Sequence, residues 1–326
     1  MRALLCKALG GSPADLAVEE VEKPEPQAGE IVIQVKAVGL NFFDTLIIAG
    51  KYQYRPALPF SPGAEVSDIV TGIGDGVAGF AVGDRVMAFT GWGGAREEVA
   101  VKTGRVVAMP ENVGFETAAA LQVTYGTSLY ALKDRASLSA GETLAVLGAA
   151  GGTGQAAVEL GKRMGARVIA VASSDEKLEF CKSVGADHVI NGSSEDVRER
   201  IRTLTQGRGA DVIYDPVGGS LSESAFRAIG WGGRYLVIGF ASGEIPRLPL
   251  NLPLLKGAAA VGVFWGEHVE REPERHQMNM LSLVRWLSEG SIRPHIDRSF
   301  PLEEAASAFA ALAGREIKGK AVLRVG

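Results

Sequence analysis

The residues whose types and spacing carry chemistry most openly lie in TLAVLGAAGGTGQAAVELG, residues 143 to 161. Ala149-x-Gly151-x-x-Gly154 keeps the G-x-G-x-x-G spacing with alanine in first place, and Gly152 is a further position without a Cβ. Glycine at such places permits a tight turn, lets backbone N–H groups approach a pyrophosphate and packs the following helix on its strand, while the helix N-terminus adds partial positive charge. An apolar strand pattern precedes the glycines and a helix pattern follows, so Ala150, Gly151, Gly152, Thr153 and Gly154 are expected to cradle a dinucleotide.

Which dinucleotide is read at the end of the next strand, roughly 20 residues on, where an acidic side chain accepts from a ribose 2′-OH and marks NAD. Here RVIAVA runs into Ser173, Ser174, Asp175, Glu176 and Lys177. Ser173 at the strand end neither repels nor crowds a 2′-phosphate, and Lys177 lies within one turn as a cationic partner. NADPH is therefore expected, with Ser173, Ser174 and Lys177 at its ribose. Two alternatives stand beside this: Ser174 serves as the N-cap of DEKLEFCKSVG, and a strand end shifted by one or two residues puts Asp175 on the ribose and favours NAD.

These residues need a scaffold. From about 125 to 260, apolar strands alternate with helical segments (TLAVLG, ARVIAVA, ADHVIN, ADVIYD, GRYLVIGF), which implies βαβ units and a parallel sheet of the doubly wound Rossmann type. Residues 1 to about 124 read instead as short β-segments broken by Gly, Pro and Asp, with Ile31, Ile33 and Val35 alternating against Gln34 and Lys36, a β-rich barrel or sandwich. The helix patterns NMLSLVRWLSEG and EEAASAFAALAG and the strand KAVLRV return the chain to this first domain. The expected division is 1–124 completed by about 267–326, with 125–266 as the dinucleotide domain.

The bulk numbers narrow the partners. At 326 residues with 46% hydrophobic and 22% charged residues, each domain can bury a core. A net charge of −4 and the lack of Lys/Arg clusters give no footprint for nucleic acid. The longest apolar stretches fall well short of the roughly 20 residues that span a bilayer. The first residues, MRALLCKALGG, match neither a signal peptide nor a transit peptide. Two isolated cysteines, Cys6 and Cys181, make no disulfide framework, so a cytoplasmic enzyme of small molecules is expected.

MRALLCKA, GLNFFDTLIIAGKY, LPFSPGAEVSDIV, VGDRVMAF, AAALQVTYGTSLYAL, the glycine turn, DVIYDPVGG and IKGKAVL follow one another over nearly the whole length. In that order and spacing the chain resembles the medium-chain dehydrogenase/reductase superfamily, in its zinc-free quinone oxidoreductase branch. The resemblance implies a GroES-like β-rich domain beside the Rossmann domain. In zinc alcohol dehydrogenases of this superfamily a cysteine ligand falls in the segment matching GLNFFDT and a Gly-His-Glu follows. Here the first has no cysteine and the second reads Gly63-Ala64-Glu65, while His188, His268, His276 and His295 are scattered without ligand spacing. No metal is expected. Hydride delivery then suits an acceptor that is already electrophilic, such as a quinone or an alkene conjugated to a carbonyl.

By the same resemblance Asn41, Asp44 and Tyr52 are the candidate catalytic residues where acceptor meets nicotinamide, with Asn41 a hydrogen-bond donor to a quinone oxygen. Thr124, Thr127, Phe240, Ser242, Phe264, Lys320 and Asn41 are the implied cofactor-facing positions. Asp44 as a residue that only fixes the turn after Asn41, and Tyr52 as a rim aromatic, are the plainer readings. Where relatives carry a second tyrosine this chain has Leu46, and where they commonly carry one after HVIN it has Gly192. The expectation is an NADPH-dependent quinone reductase; an enone or 2-alkenal reductase and a non-catalytic NADPH-binding protein are the alternatives. The strand-like run GAAAVGVFWG carries no charge to discourage pairing if it lies at the sheet edge, and is expected around 258–265 to pair with its two-fold mate in a homodimer; an internal strand, or one covered by GEHVEREPERH, is the alternative.

Overall fold

The alternation of the first half becomes strands with one face in a common core. The computed structural model describes residues 1–326, and β1 (Arg2–Leu5), β2 (Ala17–Glu20), β3 (Glu30–Leu40), β4 (Glu65–Ile73), β5 (Arg85–Phe89), β6 (Glu98–Lys102) and β7 (Val106–Ala108) fill this part. Ile31, Ile33, Val35, Val66, Val70 and Val86 sit in one buried cluster. Gln34 and Lys36 are exposed. Burial of this kind contributes about 25 cal/mol per Å² of apolar surface removed from water.

The second half is built differently. β8 (Thr143–Leu147), β9 (Arg167–Ala172), β10 (His188–Asn191), β11 (Ala210–Asp215), β12 (Ile229–Val237) and β13 (Ala259–Gly262) form one parallel sheet in the order β10-β9-β8-β11-β12-β13. That is the 3-2-1-4-5-6 order of dinucleotide-binding sheets. Its central strands β8, β9 and β11 are buried along nearly their whole length, since helices cover both faces. The Asp of DPVGG secures the turn after β11: Asp215 Oδ1 accepts from the Val217 and Gly218 N–H groups at 2.7 and 2.9 Å, and Oδ2 accepts from Ser222 and Tyr235 hydroxyls. β13 lies at the sheet edge, so its uncharged run is an edge without charges to discourage pairing.

The chain then returns to its beginning. β14 (Ile296–Pro301) pairs in parallel with β15 (Lys320–Arg324), and β15 pairs antiparallel with β3, giving a seven-stranded sheet whose main path is β14-β15-β3-β4-β5-β7. Two compact units result, Met1–Val123 with Gly266–Gly326, and Thr124–Trp265.

Two features depart from a purely β reading of residues 1–124. Helices form at Phe42–Ile48 and Phe115–Ala119. The first begins because the Asn41 N–H is held at 2.8 Å by Asp44 Oδ2, three residues on, a side-chain cap that turns the end of β3 into a helix. Gly39, just before it, has no room for a side chain, since a Cβ there would lie 1.9 Å from the Ala119 carbonyl oxygen.

Candidate functional site

Strand register assembles the first part of the site. β15 pairs with β3 as Ala321↔Leu40, and β3 pairs with β4 as Gly39↔Glu65. Lys320, Asn41 and Glu65 therefore converge at neighbouring strand ends. The Lys320 ammonium donates to Glu65 Oε1 at 2.7 Å, Asn41 Oδ1 at 2.8 Å and the Leu40 carbonyl at 2.8 Å. Asn41 Nδ2 donates to Glu65 Oε1 at 3.0 Å and Gly39 O at 3.2 Å, while Glu65 Oε2 accepts the Val123 N–H at 3.0 Å. Lys320 is 2% and Glu65 1% exposed, so this ion pair lies in the interior and stands only because its remaining donors and acceptors are filled.

Asp44 borders this network and is fully buried. Burial pushes its carboxyl from the ordinary 3.8 up to about 7; the Asn41 N–H and the Lys320 ammonium pull the other way and only partly offset it. Its Oδ1 makes no full hydrogen bond, although the Gly63 backbone lies near enough to favour the charged form. Tyr52 is half-buried and stacks on Phe43, the neighbour of Asp44, at 5.2 Å between ring centres.

The expected role of Asn41 as a donor to an acceptor oxygen meets an obstacle. Both amide hydrogens are committed within the protein and its oxygen is held by Lys320, so Asn41 is a positioning residue in this arrangement. Glu65, the hub of the network, is missing from the sequence-derived candidates although it stands two residues after Gly63. The available signal was a carboxylate opening one largely apolar strand, EVSDIV, and a lysine opening another, KAVLR.

The second unit carries the cradle. β8 ends at Leu147 and a helix opens at Gly152 and runs to Arg163. Gly151 is exposed, Gly152 and Thr153 are half-buried, and Ala150 is buried. Gly154 is obligatory: a Cβ there would lie 2.3 Å from the Gly148 carbonyl oxygen. Thr124 and Thr127 lie on the helix Gln122–Leu129. One turn of that helix is tied to the cradle, since Ser128 Oγ donates to the Thr153 carbonyl at 2.9 Å and shares a hydrogen bond with the Tyr214 hydroxyl.

At the end of β9, adjacent to β8, Ser173 is exposed and follows the last strand residue, Ala172. Ser174 caps the next helix, accepting the Lys177 N–H at 3.4 Å. Asp175 opens that helix and accepts from Asn191 Nδ2 at 3.0 Å. Its carboxylate is thus engaged beyond the strand end, which leaves Ser173 as the strand-end side chain. Phe240 and Ser242 lie in the loop after β12, where Ser242 Oγ accepts the Glu244 N–H at 3.2 Å. Phe264 is exposed just beyond β13.

This geometry fits a dinucleotide in the second unit, and in the first the polar groups are already engaged with one another. Both Glu65 oxygens are occupied, Ala64 offers no donor, and no group of three or more His, Cys, Asp or Glu is placed to hold an ion. No helix is long and apolar enough to cross a membrane.

Comparison with known proteins agrees with the two-part architecture. Residues 27–111 match the alcohol dehydrogenase GroES-like domain, and residues 152–283 match the zinc-binding dehydrogenase family. Quinone oxidoreductase-like protein 2 of Bos taurus is 38% identical over 323 residues, covering 99% of this chain and 92% of the relative. Among solved structures, Escherichia coli quinone oxidoreductase complexed with NADPH superposes with a TM-score of 0.94 at 27% identity, covering 99% of this chain and 100% of that one. CurK enoyl reductase does so with a TM-score of 0.90 at 27% identity, covering 100% and 99%. The fold and sites define a two-domain oxidoreductase of the medium-chain dehydrogenase/reductase superfamily. Within it, the chain belongs to the quinone oxidoreductase branch.

The Asp44 carboxyl gives a pH signature. Between 3.8 and about 7 the native state keeps a proton that the unfolded chain has lost, so this group's contribution to stability falls as pH rises through that window and levels above it. Asp44→Asn is expected to gain on the wild type by up to a few kcal/mol across the window, at about 1.4 kcal/mol per unit. Denaturant midpoints measured from pH 5 to 8 check this; a difference that stays constant with pH contradicts it.

Proposed function

We propose that this protein is an NADPH-dependent reductase that transfers hydride to a quinone without a metal. The observation that carries the reading is the filled network at Glu65: both carboxylate oxygens are engaged, the Lys320 ammonium lies against one of them, and the neighbouring Ala64 offers no donor. An alcohol gains no Lewis-acid activation from such a site, whereas a quinone needs none.

Backbone groups of Ala150, Gly151, Gly152, Thr153 and Gly154 hold the pyrophosphate, and Ser173, Ser174 and Lys177 face the 2′-phosphate. Thr124, Thr127, Phe240, Ser242 and Phe264 border the nicotinamide end. The cofactor supplies the hydride, and the quinone takes up that hydride and one proton to become the hydroquinone. Asn41 and Lys320 hold the end of β3 in place, Asp44 fixes the helix entry, and Tyr52 offers a ring face to the acceptor. The likeness to an enoyl reductase supports a second reading, reduction of an alkene conjugated to a carbonyl. NADPH oxidation with ortho- and para-quinones, enones, 2-alkenals and saturated aldehydes decides among these. Turnover with quinones, faster with NADPH than NADH, is expected. Chelator-sensitive oxidation of saturated alcohols with NADP⁺ overturns the metal-free reading, and NADPH binding without turnover of any acceptor overturns the enzymatic one.

We further propose a homodimer through the β13 edge. Around it the surface is apolar: Trp231 is 82% and Leu254 78% exposed, and Gly257 packs close to the Trp231 ring. Pairing β13 with a second copy satisfies the edge N–H and C=O groups and covers these side chains. Val261→Lys is expected to give monomers by light scattering at micromolar concentration; a monomeric wild type, or a variant that stays dimeric, contradicts the edge pairing.

A further inference from the structure

A continuous row of aromatic rings leads away from Asp44. Phe43 stacks on Tyr52 at 5.2 Å and 17°. Tyr52 meets Tyr54 edge-on at 5.4 Å, and Tyr54 meets Trp92 at 5.7 Å. The row joins two segments about 40 residues apart in sequence and ends on Trp92, which is 41% exposed. The inner end is held by packing, since Tyr52 is half-buried against Phe43, and burial, then its neighbours Tyr54 and Asp44, push its phenol up.

The outer end is not packed against protein on every side. Trp92 and Thr90 line a cavity of about 170 Å³ together with Glu30, Val99, Lys102 and Arg105. A cavity of roughly 150 Å³ takes one benzene ring, so this space suits a single six-membered ring. Arg105 contributes a cationic wall, held by Glu270 at 2.6 Å and lying 5.8 Å over the Phe89 ring. An aromatic guest between Trp92 and a guanidinium gains from both faces.

We propose that Tyr54 and Trp92 extend the acceptor site into an aromatic shelf, with the cavity beside Trp92 receiving the distal ring of a planar, fused-ring acceptor. The assignment rests on the reading of Tyr52 as the acceptor's inner contact. A single-ring quinone seated at Tyr52 stops short of Trp92, which is two rings further along the row. A three-ring ortho-quinone reaches it. Tyr54 and Trp92 are thus specificity-determining residues, acting on the binding of large acceptors rather than on hydride transfer.

The test compares 9,10-phenanthrenequinone with 1,4-benzoquinone in wild type, Trp92→Ala, Trp92→Phe and Tyr54→Leu. The ratio of kcat/KM for the large acceptor over the small one is expected to fall about tenfold in Trp92→Ala, through KM, with smaller loss in Trp92→Phe. Tyr54→Leu is expected to lower the same ratio. A ratio unchanged within twofold in Trp92→Ala overturns the proposal, as does a fall carried by kcat. If the wild type reduces neither quinone, the function proposed above fails. The shelf is then decided by calorimetric binding of phenanthrenequinone: weaker binding to Trp92→Ala supports it, and equal binding or none to the wild type overturns it.

Discussion

The interior ion pair between Lys320 and Glu65 is the constraint on which the first unit depends. Removing two charges from water costs several kcal/mol per ion, and their attraction recovers this only with good geometry and with every other donor and acceptor filled. Here that filling comes from the backbone of β3, from Asn41 and from the Val123 N–H. Partners 255 residues apart in sequence are joined by it, so the last strand of the chain completes the domain that the first residues began. The contact ties together the ends of β3, β4 and β15, and the helix Phe42–Ile48 begins beside it under the Asp44 cap.

The chemistry follows from that saturation. A carboxylate with both oxygens engaged is a poor metal ligand, and a buried ammonium makes the place less hospitable to a second cation. Asp44 reports the same surroundings from the side: it is close enough to Lys320 to feel the cation, yet burial dominates and holds its carboxyl near neutrality. In the function we propose, the first unit supplies ring faces to the acceptor and the hydride comes from the bound cofactor. The second unit is built for one, with a glycine turn whose tightness is fixed by Gly154 against Gly148.

Local features were legible in the sequence and non-local ones were not. The strand, glycine turn and helix of residues 143 to 161 lie within one short segment, so their physics is visible in the order of residues, and Ser174 shows itself as a cap by its place before DEKLEFCKSVG. The lack of charge in β13 was visible in the sequence, whereas its place at the sheet edge comes from the strand order. By contrast, Glu65 and Lys320 look like ordinary residues until β15 is set beside β3. The helix after Asn41 is only seven residues long, below what periodicity resolves, and depends on one side-chain cap. Asn41 is singled out by its place in GLNFFDT, but the commitment of its amide hydrogens depends on Glu65 and so was hidden with it. The contact of Tyr54 with Trp92 is likewise a product of folding, since nothing in either segment points to the other.

A double-mutant cycle on Lys320→Met and Glu65→Gln, followed by denaturant unfolding, measures the central interaction most directly. Each single change strands a buried partner and is expected to cost about 3 to 5 kcal/mol. The double variant is expected to lose clearly less than the two singles together, with a coupling of at least about 1 kcal/mol. Additive losses, or single variants as stable as the wild type, would contradict an account in which this pair holds the site.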